Sequence, residues 1–174
     1  TGRGKVLALE QGFHGRTAAA GAVTWGAAEK WYGFPRTPFD VGFMPRNDVA
    51  KATAMIDESV AAVIIEPVQG IAGAYALDKD FVSALADACT QNGTLLICDE
   101  VQCGVGRCGA PFATHLYGIQ PDILTTAKAL GGGFPVGAVM MSEDIAAVLG
   151  KGDLGTTFGG GPLACALINT VLDV

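Results

Sequence analysis

The chain has 174 residues, 50% of them hydrophobic and only 16% charged, which excludes a disordered or solvating segment and predicts a substantial core for one α/β domain or a large piece of one. Seventeen acids against eleven bases give a net charge of −6, which argues against nucleic acid and anionic membranes as partners. The longest apolar run, Val60 to Ile65, is strand-sized rather than membrane-spanning, and no basic region followed by an apolar stretch marks a secretory leader.

In chain order, Lys5–Glu10 reads as the first strand. Residues 31–48, with Pro35, Pro38 and Pro45, read as an irregular surface excursion. Ala61–Glu66 is the next strand. Phe81, Leu85 and Cys89 then recur at helical spacing and Gly93 follows as a stop, which predicts a helix packed on a sheet. Thr94–Asp99, Ile123–Thr126 and Val136–Met141 are three further strands, several of them apolar on both faces, as a covered parallel sheet requires. Ser142 is placed to cap a helix carrying Ile145, Val148 and Leu149, with Gly150 ending it, and Pro162 opens another. The alternation predicts an α/β fold with a mostly parallel central sheet, covered by helices and linked by right-handed crossovers. Because it opens at Thr1 and stops at Val174 inside an apolar stretch, the chain is expected to be an internal piece of a longer protein.

Five cysteines, an odd number, do not form a disulfide framework, so a reducing, cytoplasmic setting is expected. Cys98, Cys103 and Cys108 miss the two-residue spacing of zinc-binding pairs, and only two histidines are present, so no metal site is expected. Glycine is the informative excess, with 25 residues and dense clusters at 131–133 and 159–161. Such clusters bring backbone close to a ligand or into tight turns.

In an open α/β sheet, ligands bind beyond the carboxyl ends of the strands, and the polar residues gather there. One strand ends in Asp99-Glu100, another in Glu66-Pro67, and a third runs into Lys128 followed by Ala-Leu-Gly-Gly-Gly-Phe-Pro. A carboxylate after an apolar run is partly buried and needs a cationic or hydrogen-bonding partner. A lysine beside three glycines has little near it in sequence to neutralise it, so a desolvated ammonium of lowered pKa is expected, nucleophilic toward carbonyls. Pyridoxal chemistry uses such a pair. The lysine holds the aldehyde as an imine and carries the proton, while the acid keeps the pyridine nitrogen protonated. On spacing alone this is a weak signal, and an ordinary surface lysine with a helix-capping carboxylate is the leading reading.

Five motifs stand in order: Phe13-His14-Gly15-Arg16-Thr17; Ile65-Glu66-Pro67-Val68-Gln69-Gly70; Asp99-Glu100-Val101-Gln102 with Gly104, Gly106, Arg107 and Gly109; Pro121-Asp122-Ile123-Leu124 through Ala127-Lys128-Ala129-Leu130-Gly131-Gly132-Gly133-Phe134-Pro135; and Thr156-Thr157-Phe158-Gly159-Gly160 with Pro162-Leu163-Ala164. Together they resemble the class III pyridoxal-phosphate aminotransferases, most closely the acetylornithine aminotransferase branch, over nearly the whole chain. The resemblance implies the middle of a fold-type I large domain, with pyridoxal 5'-phosphate as cofactor. It implies that Lys128 holds the cofactor and shuttles the proton and that Asp99 pairs with the pyridinium nitrogen. Val101 and Phe13 would cover the two ring faces, and Gln102 would lie near the phenolic oxygen with Glu100 in the same turn. Arg16 would bind a substrate carboxylate through its guanidinium fork. Thr157 would reach the phosphate of the neighbouring subunit's cofactor, with Thr156 near substrate, which makes a homodimer a requirement.

The implied reaction moves the terminal amine of N-acetylornithine, or of a similar donor such as succinylornithine, ornithine or 4-aminobutyrate, to 2-oxoglutarate in arginine-biosynthesis fashion. A non-catalytic family member is the rival from another class. His14 is read as a structural neighbour of the ring stack and Glu66 as a buttress. Three departures stand out: Ile71 where relatives often have Glu, Gly161 where they have Asn, and no His shortly before Thr157. The family's upstream phosphate loop and its C-terminal small domain are expected to lie outside these residues, so the isolated chain is expected to be inactive.

Overall fold

Strands that bury both faces must lie inside a sheet covered on both sides, and the alternating helices provide that cover. The computed structural model describes residues Thr1–Val174. The strands are β1 (Lys5–Leu9), β2 (Asp40–Met44), β3 (Val60–Ile65), β4 (Val68–Gln69), β5 (Tyr75–Ala76), β6 (Leu95–Asp99), β7 (Ile123–Ala127) and β8 (Gly137–Met141). The helices are α1 (Ala18–Ala22), α2 (Ala27–Lys30), α3 (Val49–Ala54), α4 (Lys79–Asn92), α5 (Ala113–Tyr117), α6 (Glu143–Ala146) and α7 (Pro162–Leu172), with a 3-10 turn at Lys128–Gly131.

Six strands form one sheet in the order β2-β1-β3-β6-β7-β8. All neighbours are parallel except β8, which runs antiparallel to β7. Strands β4 and β5 form a separate small hairpin. The register sets Asp99, the last residue of β6, beside Thr125 of β7. The carboxyl ends of β1, β3, β6 and β7 therefore open on one edge of the sheet.

The core lies between the sheet and α4. Leu7 and Leu9 from β1, Val63 and Ile65 from β3 and Cys98 from β6 are fully buried, and Phe81, Leu85 and Cys89 of α4 pack onto them. Gly93 ends α4 in the left-handed conformation at φ 59°, with its N–H returned to the carbonyls of Cys89 and Thr90. The Tyr117 hydroxyl ties α5 to the same layer through the carbonyls of Pro67 and Leu77.

Two expectations need correction. Residues 31–48 are not irregular throughout, because Asp40–Met44 pairs in parallel with β1 as the edge strand. Gly42 in mid-run, with Pro38 and Pro45 on either side, disguises the strand. A β-carbon there would lie 2.7 Å from Cδ2 of its partner Leu7, so a larger residue would force that buried side chain to move. The helix after Ser142 is also shorter than its apolar spacing implies. It spans only Glu143–Ala146, leaving Val148 beyond its end and 79% exposed.

Helix α7 begins at Pro162 as expected, with Gly161 in the capping position. It packs against the turn after β7, where a β-carbon on Gly132 would lie 3.1 Å from Val171. Phe158, Leu163 and Leu172 on this side are exposed.

Phe81 is the largest fully buried side chain in the core. Phe81→Ala should destabilise the domain by about 3–5 kcal/mol. The check is denaturant unfolding followed by circular dichroism; a midpoint matching wild type would mean that α4 does not hold the sheet.

Candidate active site

The loop after β1 is pinned from two sides. Glu66, just past β3, accepts the backbone N–H of Phe13 at 2.8 Å. The backbone N–H of His14 donates to Thr24 Oγ1 at 2.9 Å, and that hydroxyl is itself anchored on the Ala20 carbonyl. With its backbone held, the His14 imidazole reaches the end of β6, where Nδ1 lies 2.8 Å from Asp99 Oδ2. The other oxygen of Asp99 accepts the Val101 N–H at 3.1 Å. The carboxylate expected to need a partner thus has two, and only 7% of the residue is exposed.

Lys128 stands at the end of the adjacent strand β7, at φ +47°, a left-handed conformation that non-glycine residues seldom adopt. Strain of this kind persists only where the surroundings impose it, and it gathers at functional sites. Lys128 lines a cavity of about 320 Å³ together with Val68, Gly70, Val101, Gln102 and Arg107. Gly70 meets the Gln102 carboxamide so closely that any β-carbon would overlap it. The expectation of a desolvated lysine does not hold for this chain, because Lys128 is exposed.

The remaining predicted residues divide. Phe13, Val101 and Gln102 are half-buried at the same carboxyl edge of the sheet. Glu100 is not there. It is fully buried, and its two carboxylate oxygens accept the N–H groups of Ala113 at 2.6 Å and Thr114 at 2.7 Å. Both oxygens of Glu100, expected in the same turn as Gln102 among the cofactor-binding residues, are thus taken up by the first turn of α5. The Arg16 guanidinium is exposed and lies over the Trp31 ring, 4.8 Å from its centroid. Thr156 and Thr157 are exposed and line none of the lysine cavity; Thr156 borders a second cavity of about 640 Å³ with Phe134, Pro135 and Phe158. Arg107 and Thr24 were not singled out in the sequence. Arg107 sits inside the glycine-rich motif and was discoverable there, whereas nothing around Thr24 signals its role.

Burial shapes the protonation of this edge. Desolvation pushes the Glu66 carboxyl above its ordinary value, with the Asp99 charge adding to it and the amides of Phe13 and Gly70 and His14 pulling partly back. Burial also pushes the Cys103 thiol up to about 12, so this cysteine is an inert small residue at neutral pH.

The carboxyl edge of the sheet thus carries a clamped acid at the end of β6 and, just past β7, a lysine in a strained backbone conformation beside a cavity. The chain belongs to the aminotransferase class-III family, whose model matches residues 1–174. It is 48% identical over 164 residues to an acetylornithine aminotransferase of Methanocaldococcus jannaschii, covering 94% of this chain and 41% of the relative. It is 46% identical over 173 residues to a succinylornithine transaminase of Salmonella heidelberg, covering 97% of this chain and 41% of the relative. Among solved structures it matches a Toxoplasma gondii ornithine aminotransferase with partial occupancy of PLP at its active site. That match has a TM-score of 0.88 at 32% identity and covers 99% of this chain and 41% of the other. The chain thus spans about 41% of the length of these relatives. Its fold is that of the PLP-dependent aminotransferases, as expected from the sequence.

Two outcomes test this account of the acids. Glu100→Ala leaves two buried N–H groups without an acceptor, which should destabilise the fold by about 2–4 kcal/mol; unchanged thermal unfolding would show that α5 does not depend on it. For Glu66, a folded-state pKa above the unfolded value means the folded protein holds the proton more tightly. Its contribution to stability is then full at low pH and is lost as pH rises from the ordinary value of 4.5 through the raised one. Glu66→Gln keeps an oxygen for the Phe13 N–H, so the variant should gain on wild type in melts from about pH 4 to pH 7. Parallel pH profiles would contradict the raised value.

Proposed function

We propose that these residues form the lysine-bearing core of the large domain of a pyridoxal-phosphate-dependent ω-aminotransferase, with N-acetylornithine as the preferred donor and 2-oxoglutarate as acceptor. The observation that carries the reading is the pairing of Asp99 and Lys128 on adjacent parallel strands. Asp99 is buried and clamped on β6, and Lys128 is held left-handed on β7 above a cavity shared with Val101 and Gln102.

These residues fit the cofactor. A buried carboxylate whose donors are one amide and one imidazole keeps lone pairs free for a cationic ring nitrogen. Gly70 lets Gln102 fold into the cavity, where a larger residue would exclude it. When bound, pyridoxal phosphate supplies the electron sink that stabilises a carbanion next to the reacting amine. The chain supplies the rest. Asp99 holds the proton of the ring nitrogen in place by accepting it in a hydrogen bond. Val101 presents an apolar side chain to the cavity and, through its N–H, orients Asp99. Lys128 is the base that takes the proton from the substrate carbon and returns it on the other side of the exchange. Arg16 makes no ion pair with a carboxylate of this chain, and its fork suits a substrate carboxylate.

The donor choice rests on the names of the relatives, which include both acetylornithine and succinylornithine enzymes. On this reading Thr157 serves the phosphate of a second subunit. The exposed apolar side chains of Phe158 and Leu163, which border one cavity close to Thr157 in sequence, support a homodimer there. An arginine-biosynthetic role in the cytoplasm follows from the same donor, and no helix here is long and apolar enough to cross a membrane.

Borohydride reduction of the full-length protein with pyridoxal phosphate, followed by peptide mass mapping, tests the assignment. A phosphopyridoxyl adduct confined to Lys128 is the expected result; absence of label, or label scattered over Lys5, Lys30 and Lys151, overturns it. Lys128→Ala should lower kcat by at least about 10²–10⁴-fold while leaving the circular dichroism spectrum intact.

A further inference from the structure

We propose that Trp31 is a positioning residue that holds the Arg16 guanidinium ready for a substrate carboxylate and thereby sets the affinity for carboxylate-bearing substrates. The inference rests on the reading of Arg16 given above and deepens it.

An arginine that must bind an incoming carboxylate faces two opposed demands. Its long side chain has to be held, because ordering it at the moment of binding costs affinity. Its charge has to stay uncancelled, because an acid that held it would also occupy its fork. An aromatic face meets both demands, since it attracts a cation without carrying an opposite charge and leaves the in-plane N–H donors free. Arg16 has that kind of support. Its Cζ lies over the Trp31 ring, 4.8 Å from the centroid. It forms no ion pair, and the residue is exposed.

Both partners are fixed on the same short helix. Gly15, at φ +133°, turns the chain just before Arg16 in a conformation that residues with side chains rarely adopt, and Thr17 then opens α1. On α1, Gly21 is buried beneath two rings. A β-carbon there would lie 3.2 Å from Cη2 of Trp31 and 3.0 Å from Cδ2 of Tyr32. The Tyr32 hydroxyl donates to the Ala18 carbonyl at 2.9 Å, and the backbone N–H groups of Trp31 and Tyr32 both donate to the Ala27 carbonyl. Trp31 is half-buried by this packing, and its ring still meets the guanidinium. The indole is therefore anchored independently of the arginine it supports.

The experiment uses the full-length holoenzyme with glutarate as probe, a dicarboxylate of the acceptor's length that lacks the keto group and so binds without reacting. Trp31→Leu keeps an apolar side chain against Gly21 but offers no ring face. It should raise the glutarate inhibition constant and the KM for 2-oxoglutarate about three- to tenfold, with kcat within about twofold of wild type. Trp31→Phe, which restores a ring, should recover most of that loss. With 5-fluorotryptophan incorporated, the ¹⁹F resonance that disappears in Trp31→Phe should shift saturably as glutarate is added. An unchanged or lower inhibition constant in Trp31→Leu, a loss confined to kcat, no recovery in Trp31→Phe, or a resonance unmoved by glutarate would each overturn the inference. If Trp31→Leu does not fold, the resonance still decides it. Arg16→Gln separates the two levels: weaker glutarate inhibition in Arg16→Gln but not in Trp31→Leu sinks this inference alone, whereas unchanged inhibition in Arg16→Gln sinks the reading of Arg16 beneath it.

Discussion

A carboxylate at the end of an apolar strand can stay charged inside a protein only if donors reach it, and the geometry of this molecule follows from how Asp99 is supplied with them. One donor is local, the amide of Val101 two residues on. The other comes from His14, 85 residues earlier, and reaches Asp99 only because β1 and β6 lie on the two sides of β3 in the same parallel sheet. The order of strands is thus what puts an imidazole against this acid. The loop bearing it is then fastened to Glu66 and Thr24, so the carboxyl edge of the sheet behaves as one connected unit.

Three acids at strand ends have three different fates, and the partners decide each. Asp99 accepts from an amide and an imidazole and lies at the carboxyl edge of the sheet. Glu66 holds a backbone amide and is pushed by burial toward its neutral form. Glu100, adjacent to Asp99 in sequence, points the other way and closes the first turn of α5. Successive residues leaving a strand face opposite sides, so a two-acid motif at a strand end divides naturally into one group for chemistry and one for structure.

Lys128 shows the opposite situation. The chain imposes its backbone conformation but leaves the residue exposed, on the lining of a cavity it shares with Val101 and Gln102. Positioning and desolvation are therefore separable here: β7 and the packing of α7 against the following turn supply the first. The second these residues do not supply, since Lys128 is exposed.

What the sequence determined by itself was whatever is written in local pattern. Runs apolar on both faces marked β1, β3, β6 and β7, the spacing of Phe81, Leu85 and Cys89 with Gly93 marked α4, and the ordered motifs marked the family. Edge strand β2 escaped because an edge needs only one neighbour and tolerates Gly42, packed against Leu7, and flanking prolines, all of which read as loop. The direction of Glu100, the bond from His14 to Asp99 and the exposure of Lys128 were decided by tertiary structure alone. Each depends on which donors or covering groups distant segments bring to a strand end, and no spacing along the chain records that.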